Sequence, residues 1–268
     1  MRTALTIAGS DSSGGAGTQA DLKTFAALGV YGTSAITAIT AQNTMGVTAC
    51  APLPADLVTA QIEAVAGDIE IHATKVGMLA NAAIVEAVVA AIEELELPLV
   101  VVDPVMVSKG GQRLLDEDGV QALRAELLPL ARVVTPNLPE AEALSGRHIQ
   151  SLADARDAAR RIQEMGARAV IITGGHRAGS EVVDLLLDGD AYYEFRTKRI
   201  DTKNTHGTGC TFASAIAAYL ALGRALPDAA DRAQQYVAGA VAHALDIGHG
   251  HGPLDHFWQT RTTSSREG

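Results

Sequence analysis

The segment Asn204-Thr-His-Gly-Thr-Gly-Cys-Thr211 joins a small-residue turn to a thiol at the start of an alanine-rich predicted helix, residues 212–222. The first turn of a helix has backbone N–H groups without intrahelical partners and carries the positive end of the helix dipole. Gly207 and Gly209 leave room for a phosphoryl group to reach these N–H groups. The same field favours thiolate over thiol, so we expect Cys210 to act as a base or nucleophile. A glycine-rich helix start with a small buried cysteine explains the same pattern.

A second glycine-rich loop, Gly15-x-Gly17-x-x-Ala20, follows the first predicted strand. It has the form of a dinucleotide-binding fingerprint, which also requires an acidic residue about 20 positions further on for the ribose. No acidic residue lies between Asp21 and Asp56. A phosphate-binding P-loop needs a Gly-Lys dipeptide, and the chain contains none. This loop is therefore predicted not to bind a nucleotide, and from the residues alone Asp21 is an acid at a helix start.

Two carboxylates follow the ends of separate predicted strands. Asp103 ends one strand, and Asn137-Leu-Pro-Glu140 follows another. If both strands end at one rim of the sheet, Asp103 and Glu140 could meet there and bind Mg²⁺, which prefers hard oxygen ligands. Alternatively, Glu140 is a first-turn acid that complements the helix dipole. The glycine-flanked histidines His249 and His251, with His256 beyond, make only a weak transition-metal site because no acid or cysteine adjoins them.

The elements that position these residues alternate between short β-branched runs and alanine-rich helical stretches. Buried strands are predicted at residues 4–8, 33–40, 73–76, 99–103, 132–135 and 169–173, and helices at 22–28, 57–66, 82–95, 120–127, 153–165, 212–222 and 229–246. This order predicts an α/β fold with a mostly parallel sheet, helices on both faces, and ligands at the carboxyl ends of the strands. Runs at 182–187 and 191–195 flank Asp188-Gly189-Asp190 and predict an antiparallel edge hairpin.

Composition and organisation narrow the class of protein. The chain has 268 residues, 47% of them hydrophobic, without a repeat or linker, so we expect one domain over residues 1–258 and a frayed polar tail at 259–268. A net charge of −10 argues against nucleic-acid and membrane partners and favours a small molecule. Two cysteines and a strand-like start directly after Met1 lead us to expect a reducing, cytoplasmic location.

Seven ordered motifs resemble the hydroxymethylpyrimidine and phosphomethylpyrimidine kinases of the ribokinase-like superfamily. They are residues 5–17, 19–24, 41–44, 75–79, 103–106 and 135–141 and the Cys210 loop. Most members of the superfamily are expected to have Asp at the position of Cys210, so the thiol points to the hydroxymethylpyrimidine branch. The resemblance implies a ribokinase-like fold and an enzyme that uses ATP and Mg²⁺, with a monovalent cation as a further option. We also expect a homodimer.

The resemblance also implies the roles of particular residues. The reaction would be phosphorylation of 4-amino-5-hydroxymethyl-2-methylpyrimidine and of its monophosphate, with Cys210 taking the hydroxymethyl proton and Gly207, Thr208 and Gly209 binding the phosphoryl group. The remaining assignments are Asp21, Gln42, Gly9, Met78 and Val105 for the pyrimidine, Asn137, Glu140, Thr173 and His206 for the nucleotide, and Asp103 and Glu140 for the metal.

One position departs from the pattern, because Thr173 stands where several relatives have a lysine that would neutralise nucleotide phosphates. Mg²⁺ and the 207–210 amides would then carry more of that charge, or another cation such as Lys203 would. The Lys109-Gly-Gly111 segment is either a flap over the site or an ordinary turn. Two other functions remain open: a pyridoxal or pyridoxine kinase, and a catalytically silent protein that senses the pyrimidine.

Overall fold

A central sheet organises the computed structural model, which describes residues 1–108, 110–176 and 179–264. Within these residues its order is β3-β2-β1-β4-β5-β6-β7-β8-β9. The strands are β1 (Thr3–Asp11), β2 (Tyr31–Asn43), β3 (Gly46–Pro52), β4 (Ala73–Val76), β5 (Val100–Val102), β6 (Val133–Val134), β7 (Ala169–Ile172), β8 (Glu181–Asp188) and β9 (Ala191–Lys198). The six strands from β2 to β7 in this order run parallel, while β3, β8 and β9 add antiparallel edges. The predicted fold class is confirmed.

Helices cover both faces of the sheet. They are α1 (Gly17–Ala27), α2 (Ala55–Ala66), α3 (Ala82–Glu94), α4 (Glu117–Ala122), α5 (Leu138–Ser145), α6 (Leu152–Gln163), α7 (Thr208–Ala221), α8 (Leu226–Ala242) and α9 (Trp258–Ser264). A π-helical turn, Leu123–Leu127, extends α4, and a 3₁₀ turn, Gly174–His176, follows β7. None of the helices in the described residues combines the length and apolar character needed to cross a bilayer.

The alternation of side chains along each strand divides the core into two layers. In β5, Val100 and Val102 pack with α2, α3 and α6, whereas Val101 packs with α1, α7 and α8 on the opposite face. Because successive residues of a strand point to opposite faces, a run of three valines serves both layers. All three valines are buried. The sheet is therefore covered on both sides, and its rim of carboxyl ends is left for ligands.

Three elements were absent from the sequence prediction. Strand β3 is an exposed edge that pairs with β2, and α5 is only eight residues long. The third is α9, which includes residues 259–264 of the segment expected to be a frayed tail, while 265–268 lie outside the described residues. Helix α9 is held by Trp258, whose ring stacks on His243 at a centroid distance of 5.4 Å. The single-domain assignment remains a prediction.

Candidate active site

The candidate site lies where the strand order reverses, at the carboxyl ends of β1 and β4. Open α/β sheets bind ligands in this crevice because the connections on its two sides leave in opposite directions. Gly9 in β1 and Met78 just after β4 meet there, and a Cβ atom added at Gly9 would lie 2.9 Å from the sulfur of Met78. Both belong to the predicted pyrimidine set. Val105, two residues beyond Asp103, is half-buried and follows β5 at the same rim.

The predicted phosphate-binding loop at Gly207 has the geometry expected for an anion site. Gly207 is the N-cap of α7 with φ of 85°, and within the described residues no side chain caps this helix. A Cβ atom at Gly207 would lie 1.8 Å from the carbonyl oxygen of Gly15, so only glycine fits. The hydroxyl of Thr208 donates to Thr205 O at 2.8 Å and leaves the first-turn amides uncovered. These amides are available to a negatively charged group.

The open side of this loop faces a carboxylate. Among the described residues, the nearest atoms to a Cβ added at Gly209 are the carboxylate oxygens of Asp103, at 3.9 and 4.0 Å. Asp103 follows β5, and its backbone N–H donates to Val76 O at 2.8 Å. The anion loop and the carboxyl end of β5 therefore border one space.

The thiol of Cys210 differs from its predicted state. Cys210 keeps some exposed surface, but the packing around its sulfur raises its pKa to about 12. Burial is the largest cause; Lys75 opposes it, and the carboxylates of Asp103 and Asp21 add to it. The S–H group donates a hydrogen bond to the Asp103 side chain. The expectation of a resting thiolate is therefore wrong for the ligand-free protein, because desolvation and two carboxylates outweigh the helix field.

The assigned pyrimidine contact Asp21 is occupied within the protein. It has no exposed surface, and its Oδ2 lies 3.0 Å from the ammonium of Lys75, which is also fully buried. Thr6 donates to Oδ2 and Ser214 donates to Oδ1, both at 2.6 Å. Among the described residues both oxygens of Asp21 thus have partners within the protein, and its assignment to the pyrimidine stays a prediction.

Sequence reasoning missed the role of Lys75, although a signal was present. A lysine in the middle of a short strand that is buried on both faces must be paired, because an isolated ammonium is too costly to desolvate. Asp21 supplies that pair, and its charge raises the pKa of Lys75 against the opposing effect of burial. The buried pair also interacts electrostatically with Cys210, whose pKa the positive charge of Lys75 lowers against the effect of burial.

Asp103 and Glu140 approach one another as the strand ends predicted. Burial raises the pKa of both carboxyls, and the Asp103 carboxylate further raises that of Glu140, to about 8. Oδ2 of Asp103 is buried without a hydrogen-bond partner among the described residues. A buried carboxylate oxygen without a partner beside a second carboxylate fits a hard divalent cation.

Glu140 also caps α5, as the alternative interpretation required. Its Oε2 accepts from Asn137 N at 2.9 Å, and Asn137 Oδ1 accepts from Glu140 N at 3.0 Å, which completes a capping box. The described residues contain no group of three acidic, histidine or cysteine side chains that could hold a metal. Mg²⁺ commonly uses one or two carboxylates and completes its shell with substrate phosphates, so two are sufficient.

The assigned nucleotide residues lie at the next strand ends. Asn137 and Thr173 form an isolated parallel bridge, and Thr173 N donates to Pro136 O at 3.0 Å. Thr173 brings no charge. Lys203, considered as its substitute, is an exposed side chain that points to Asp246 at 3.8 Å. The uncovered α7 amides are thus the groups among the described residues that remain available to a phosphate.

The structure pairs one nitrogen of His206, which we expected to bind the nucleotide, with a carboxylate of the protein. Its Nε2 lies 2.8 Å from Asp11 Oδ2, and both side chains are buried. Gln42 lies beside this pair, with its amide nitrogen 3.3 Å from the same histidine nitrogen. Gln42 is half-buried and lines a pocket at the mouth of the crevice; the pocket is formed by Gln42, Asn43, Thr44, Met45, Gly46, Val47, Ser108, Gly110, His206 and His251.

Two other features of the sequence were the Lys109-Gly-Gly111 segment and the histidines near the C-terminus. The Lys109-Gly-Gly111 segment includes Lys109, which lies outside the described residues. Two of the C-terminal histidines contact other groups of the protein: Nδ1 of His251 lies 2.8 Å from Lys203 O, and His256 Nε2 lies 3.1 Å from the Thr211 hydroxyl. Burial lowers the pKa of His256 to about 4, so it is neutral at ordinary pH.

Comparisons with known proteins identify the family of this chain. A family model described as phosphomethylpyrimidine kinase matches residues 11–255. The chain is 51% identical over 253 residues to the thiamine biosynthesis bifunctional protein ThiED of Geobacter sulfurreducens. The matched region covers 94% of this chain but only 52% of that relative. It is 48% identical over 266 residues to the hydroxymethylpyrimidine/phosphomethylpyrimidine kinase of Haemophilus influenzae, covering 97% and 98% of the two chains. Among solved structures, pyridoxal kinase from Staphylococcus aureus with AMP-PCP and pyridoxal gives a TM-score of 0.90 at 39% identity, covering 97% and 95%.

Proposed function

The chain belongs to the phosphomethylpyrimidine kinase family, and we propose that it phosphorylates 4-amino-5-hydroxymethyl-2-methylpyrimidine and then its monophosphate, with ATP as donor, in thiamine biosynthesis. The observation that carries the proposal is the meeting of the uncapped first turn of α7, the Cys210 thiol and the Asp103–Glu140 pair at one rim of the sheet. Phosphoryl transfer needs positioning and charge stabilisation more than covalent chemistry, and these groups supply both.

In the first phosphorylation, the pyrimidine occupies the crevice beside Gly9 and Met78, with Gln42 at its mouth. The hydroxymethyl oxygen bonds to the γ-phosphorus of ATP as the bond to the ADP oxygen breaks, and the α7 amides hold the charge on the transferred group. The hydroxyl proton passes to the sulfur of Cys210 as the thiol proton moves to Asp103, its hydrogen-bond acceptor. The second phosphorylation starts from an ionised phosphate and needs no base.

Mg²⁺ forms part of this proposal, with Asp103 and Glu140 as the residues that hold it. The unpartnered Oδ2 of Asp103 and the mutual repulsion of the two carboxyls support this assignment. When bound, the ion would neutralise phosphate charge. Asn137 would fix Glu140 through the capping box and so hold the carboxylate at the nucleotide side of the crevice.

The proposed function is tested by identifying the products formed from ATP, Mg²⁺ and the pyrimidine alcohol. We expect mass spectrometry to show the monophosphate first and the diphosphate later. Cys210→Ala should lower the first phosphorylation by about 10²- to 10⁴-fold, the usual range for a positioned acid–base group. Cys50→Ala is the matched control, since Cys50 lies on the edge strand β3. Absence of any phosphorylated pyrimidine, or equal rates in the two variants, would contradict the proposal or the role of Cys210, respectively.

A second candidate is a pyridoxal kinase, which is favoured by the similarity to the Staphylococcus aureus enzyme. Pyridoxal also carries a hydroxymethyl group on an aromatic heterocycle, so the same crevice can accept it. The ratio of kcat/KM for the pyrimidine to kcat/KM for pyridoxal separates the two functions, and we expect it to exceed one. Tight pyrimidine binding without ADP release would instead indicate a silent sensor.

The proposal extends to the setting of the enzyme. We place it in the cytoplasm as a homodimer of single-domain subunits, with no nucleic-acid or membrane partner. The net charge of −10 supports the absence of polyanionic partners. Light scattering of the purified protein at several concentrations tests the dimer.

A further inference from the structure

The loop that follows β1 and the loop that precedes α7 are joined by a buried pair, Asp11 and His206. The two residues are 195 positions apart, and their side chains meet at 2.8 Å with little exposed surface. Each adjoins a glycine-rich segment, and the proposed reaction uses the one at Gly207. Asp11 ends β1, next to the glycine-rich loop 12–16, and His206 immediately precedes Gly207, the N-cap of α7.

The Asp11 carboxylate organises its own loop. It accepts hydrogen bonds from Ser13 N and Ala16 N, both at 2.8 Å, and from the Ser13 hydroxyl. Burial raises its pKa, but the hydrogen bonds from His206 and Ser13 outweigh that effect and the pKa is lowered. The loop 12–16 is therefore wrapped around an ionised carboxylate, and His206 is the contact that links it to the second loop.

Close packing leaves the two loops no room to slide past one another. A Cβ atom added at Gly15 would lie 2.4 Å from Cδ2 of His206, and one added at Gly207 would lie 1.8 Å from Gly15 O. The backbone of His206 is fixed as well, because its N–H donates to Gly252 O at 3.1 Å. The imidazole thus fills the space between the loops and cannot shift without moving one of them.

Gln42, on the pyrimidine side of the crevice, is hydrogen-bonded to the loop 12–16 and lies beside His206. Gln42 N donates to the Ser12 hydroxyl at 2.8 Å, and that hydroxyl donates back to Gln42 O at 2.7 Å. The Gln42 amide lies 3.3 Å from His206 Nε2. The pocket-lining glutamine, the loop 12–16 and the anion loop therefore share one hydrogen-bonded cluster with Asp11 and His206 at its centre.

We propose that Asp11 and His206 are positioning residues that set the register between the bound pyrimidine and the phosphoryl-binding loop at Gly207. The inference rests on the proposed function, because it concerns the alignment of that reaction's acceptor and donor. The Asp11 carboxylate and Nε2 of His206 make their contacts within the protein, to each other, to the loop 12–16 and to Gln42. A misplacement of about 1 Å can cost about 10²-fold in rate, so the effect of losing the pair should appear in kcat rather than in KM.

The kinetic test compares Asp11→Asn, His206→Leu, their double variant and His206→Gln. We expect either single change to lower kcat about 10- to 100-fold, with the KM values for pyrimidine and ATP within about threefold. The double variant should lose little more than either single one, because both break the same contact. His206→Gln keeps a side-chain N–H donor and should retain more kcat than His206→Leu. Additive losses in the double variant, or a raised pyrimidine KM with unchanged kcat, would overturn the proposal.

A structural measurement tests the pair without relying on activity. Amide hydrogen exchange should rise in both loops, residues 12–16 and 204–210, when only one of the two residues is changed. Asp188→Asn is the matched control: it breaks the half-buried pair with Arg132, at 3.0 Å, at the opposite end of the strands. We expect this control to lower thermal stability without affecting exchange in either loop or kcat.

The outcomes distinguish the two proposals. Exchange that rises only in the loop carrying the substitution overturns the positioning role, whatever the enzyme's activity. If the unmodified protein phosphorylates no pyrimidine but exchange rises in both loops, the proposed function fails while the structural tie remains. Unchanged kcat in both single variants of an active enzyme refutes the positioning role alone.

Discussion

At the residue scale, Cys210 shows how an enclosed site can reverse a local electrostatic expectation. The N-terminus of a helix lowers a thiol pKa when the thiol is solvated or has a nearby cation. Here burial, then the negative carboxylates of Asp103 and Asp21, move the pKa in the opposite direction despite the charge of Lys75. The sulfur is therefore protonated before ligands arrive, and its hydrogen bond to Asp103 gives that proton a destination.

The protonated thiol predicts slow alkylation of Cys210. With a pKa of about 12, the thiolate fraction at pH 8 is about 10⁻⁴, so iodoacetamide should modify Cys210 far more slowly than free cysteine. Burial also raises the pKa of Cys50, but less strongly, so we expect Cys50 to react first. Mass spectrometry of the two cysteine peptides measures both rates, and urea-unfolded protein, in which both should react alike, is the control. Preferential labelling of Cys210 in the folded protein would contradict the raised pKa and show that its thiol is ionised.

The Asp21–Lys75 pair predicts a loss of stability on substitution. Asp21→Asn leaves a fully buried ammonium without its counter-charge, which should lower the free energy of unfolding by about 3–5 kcal/mol. Asp21→Asn with Lys75→Met should recover much of the loss. Glu117→Gln in the exposed pair with Arg113 should cost at most about 1 kcal/mol. Urea denaturation measures the stability of all three variants. A stable Asp21→Asn variant with a raised pyrimidine KM would show that Asp21 binds the substrate directly.

At the scale of elements, the start of α7 depends on a glycine for two separable reasons. Gly207 has φ of 85° and also contacts Gly15 O, whereas Gly223 has φ of 83° with no atom within 4 Å of an added Cβ among the described residues. Gly223→Ala should cost only the conformational strain, about 1 kcal/mol. Gly207→Ala adds a clash with backbone and should cost at least about twice as much while lowering kcat. Equal losses in denaturation experiments would contradict the close contact between the loops.

The start of α5 carries a pH dependence through Glu140. Burial and the Asp103 carboxylate raise its pKa from 4.5 to about 8, so the folded protein keeps a proton that the unfolded chain releases. The free energy of unfolding without divalent ions should therefore fall between pH 4.5 and 8, by up to about 1.4 kcal/mol per pH unit. Glu140→Gln removes this titration and can keep the capping hydrogen bond.

The measurement for Glu140 is urea unfolding from pH 5 to 8 in a chelating buffer, with and without Mg²⁺. We expect Mg²⁺ to stabilise the unmodified protein more than Glu140→Gln at pH 8, because the ion binds the ionised pair. Parallel pH profiles for the two proteins would show that Glu140 does not carry the raised pKa. Equal stabilisation by Mg²⁺ would limit Glu140 to capping the helix.

At the scale of the whole molecule, two packed layers share one continuous sheet, which predicts cooperative unfolding. Trp258, the only tryptophan, lies on α9 against α8, so its fluorescence reports the C-terminal end, whereas circular dichroism reports all helices. The two signals should give coincident transitions, as a single cooperative unit requires. A fluorescence transition at lower urea would show that α9 detaches first and that the chain is not one unit.

The sequence by itself determined the order of most strands and helices, and it predicted the rim for ligands and the anion loop. It could do so because hydrophobic periodicity and glycine at helix starts are local signals. It also brought Asp103 and Glu140 to one edge, because parallel strands end together. The sequence pattern did not predict the edge strand β3, which is mostly exposed, or the helix α5, which spans only eight residues.

Only the tertiary structure decided which polar groups remain free for ligands. Asp21 is taken by Lys75, and His206 by Asp11, partners 54 and 195 residues away along the chain. The protonation of Cys210 follows from its enclosure among groups brought by β4 and β5 and by the helix α1. Burial and long-range pairing depend on how the elements pack in three dimensions, and neither leaves a periodic signal in the sequence.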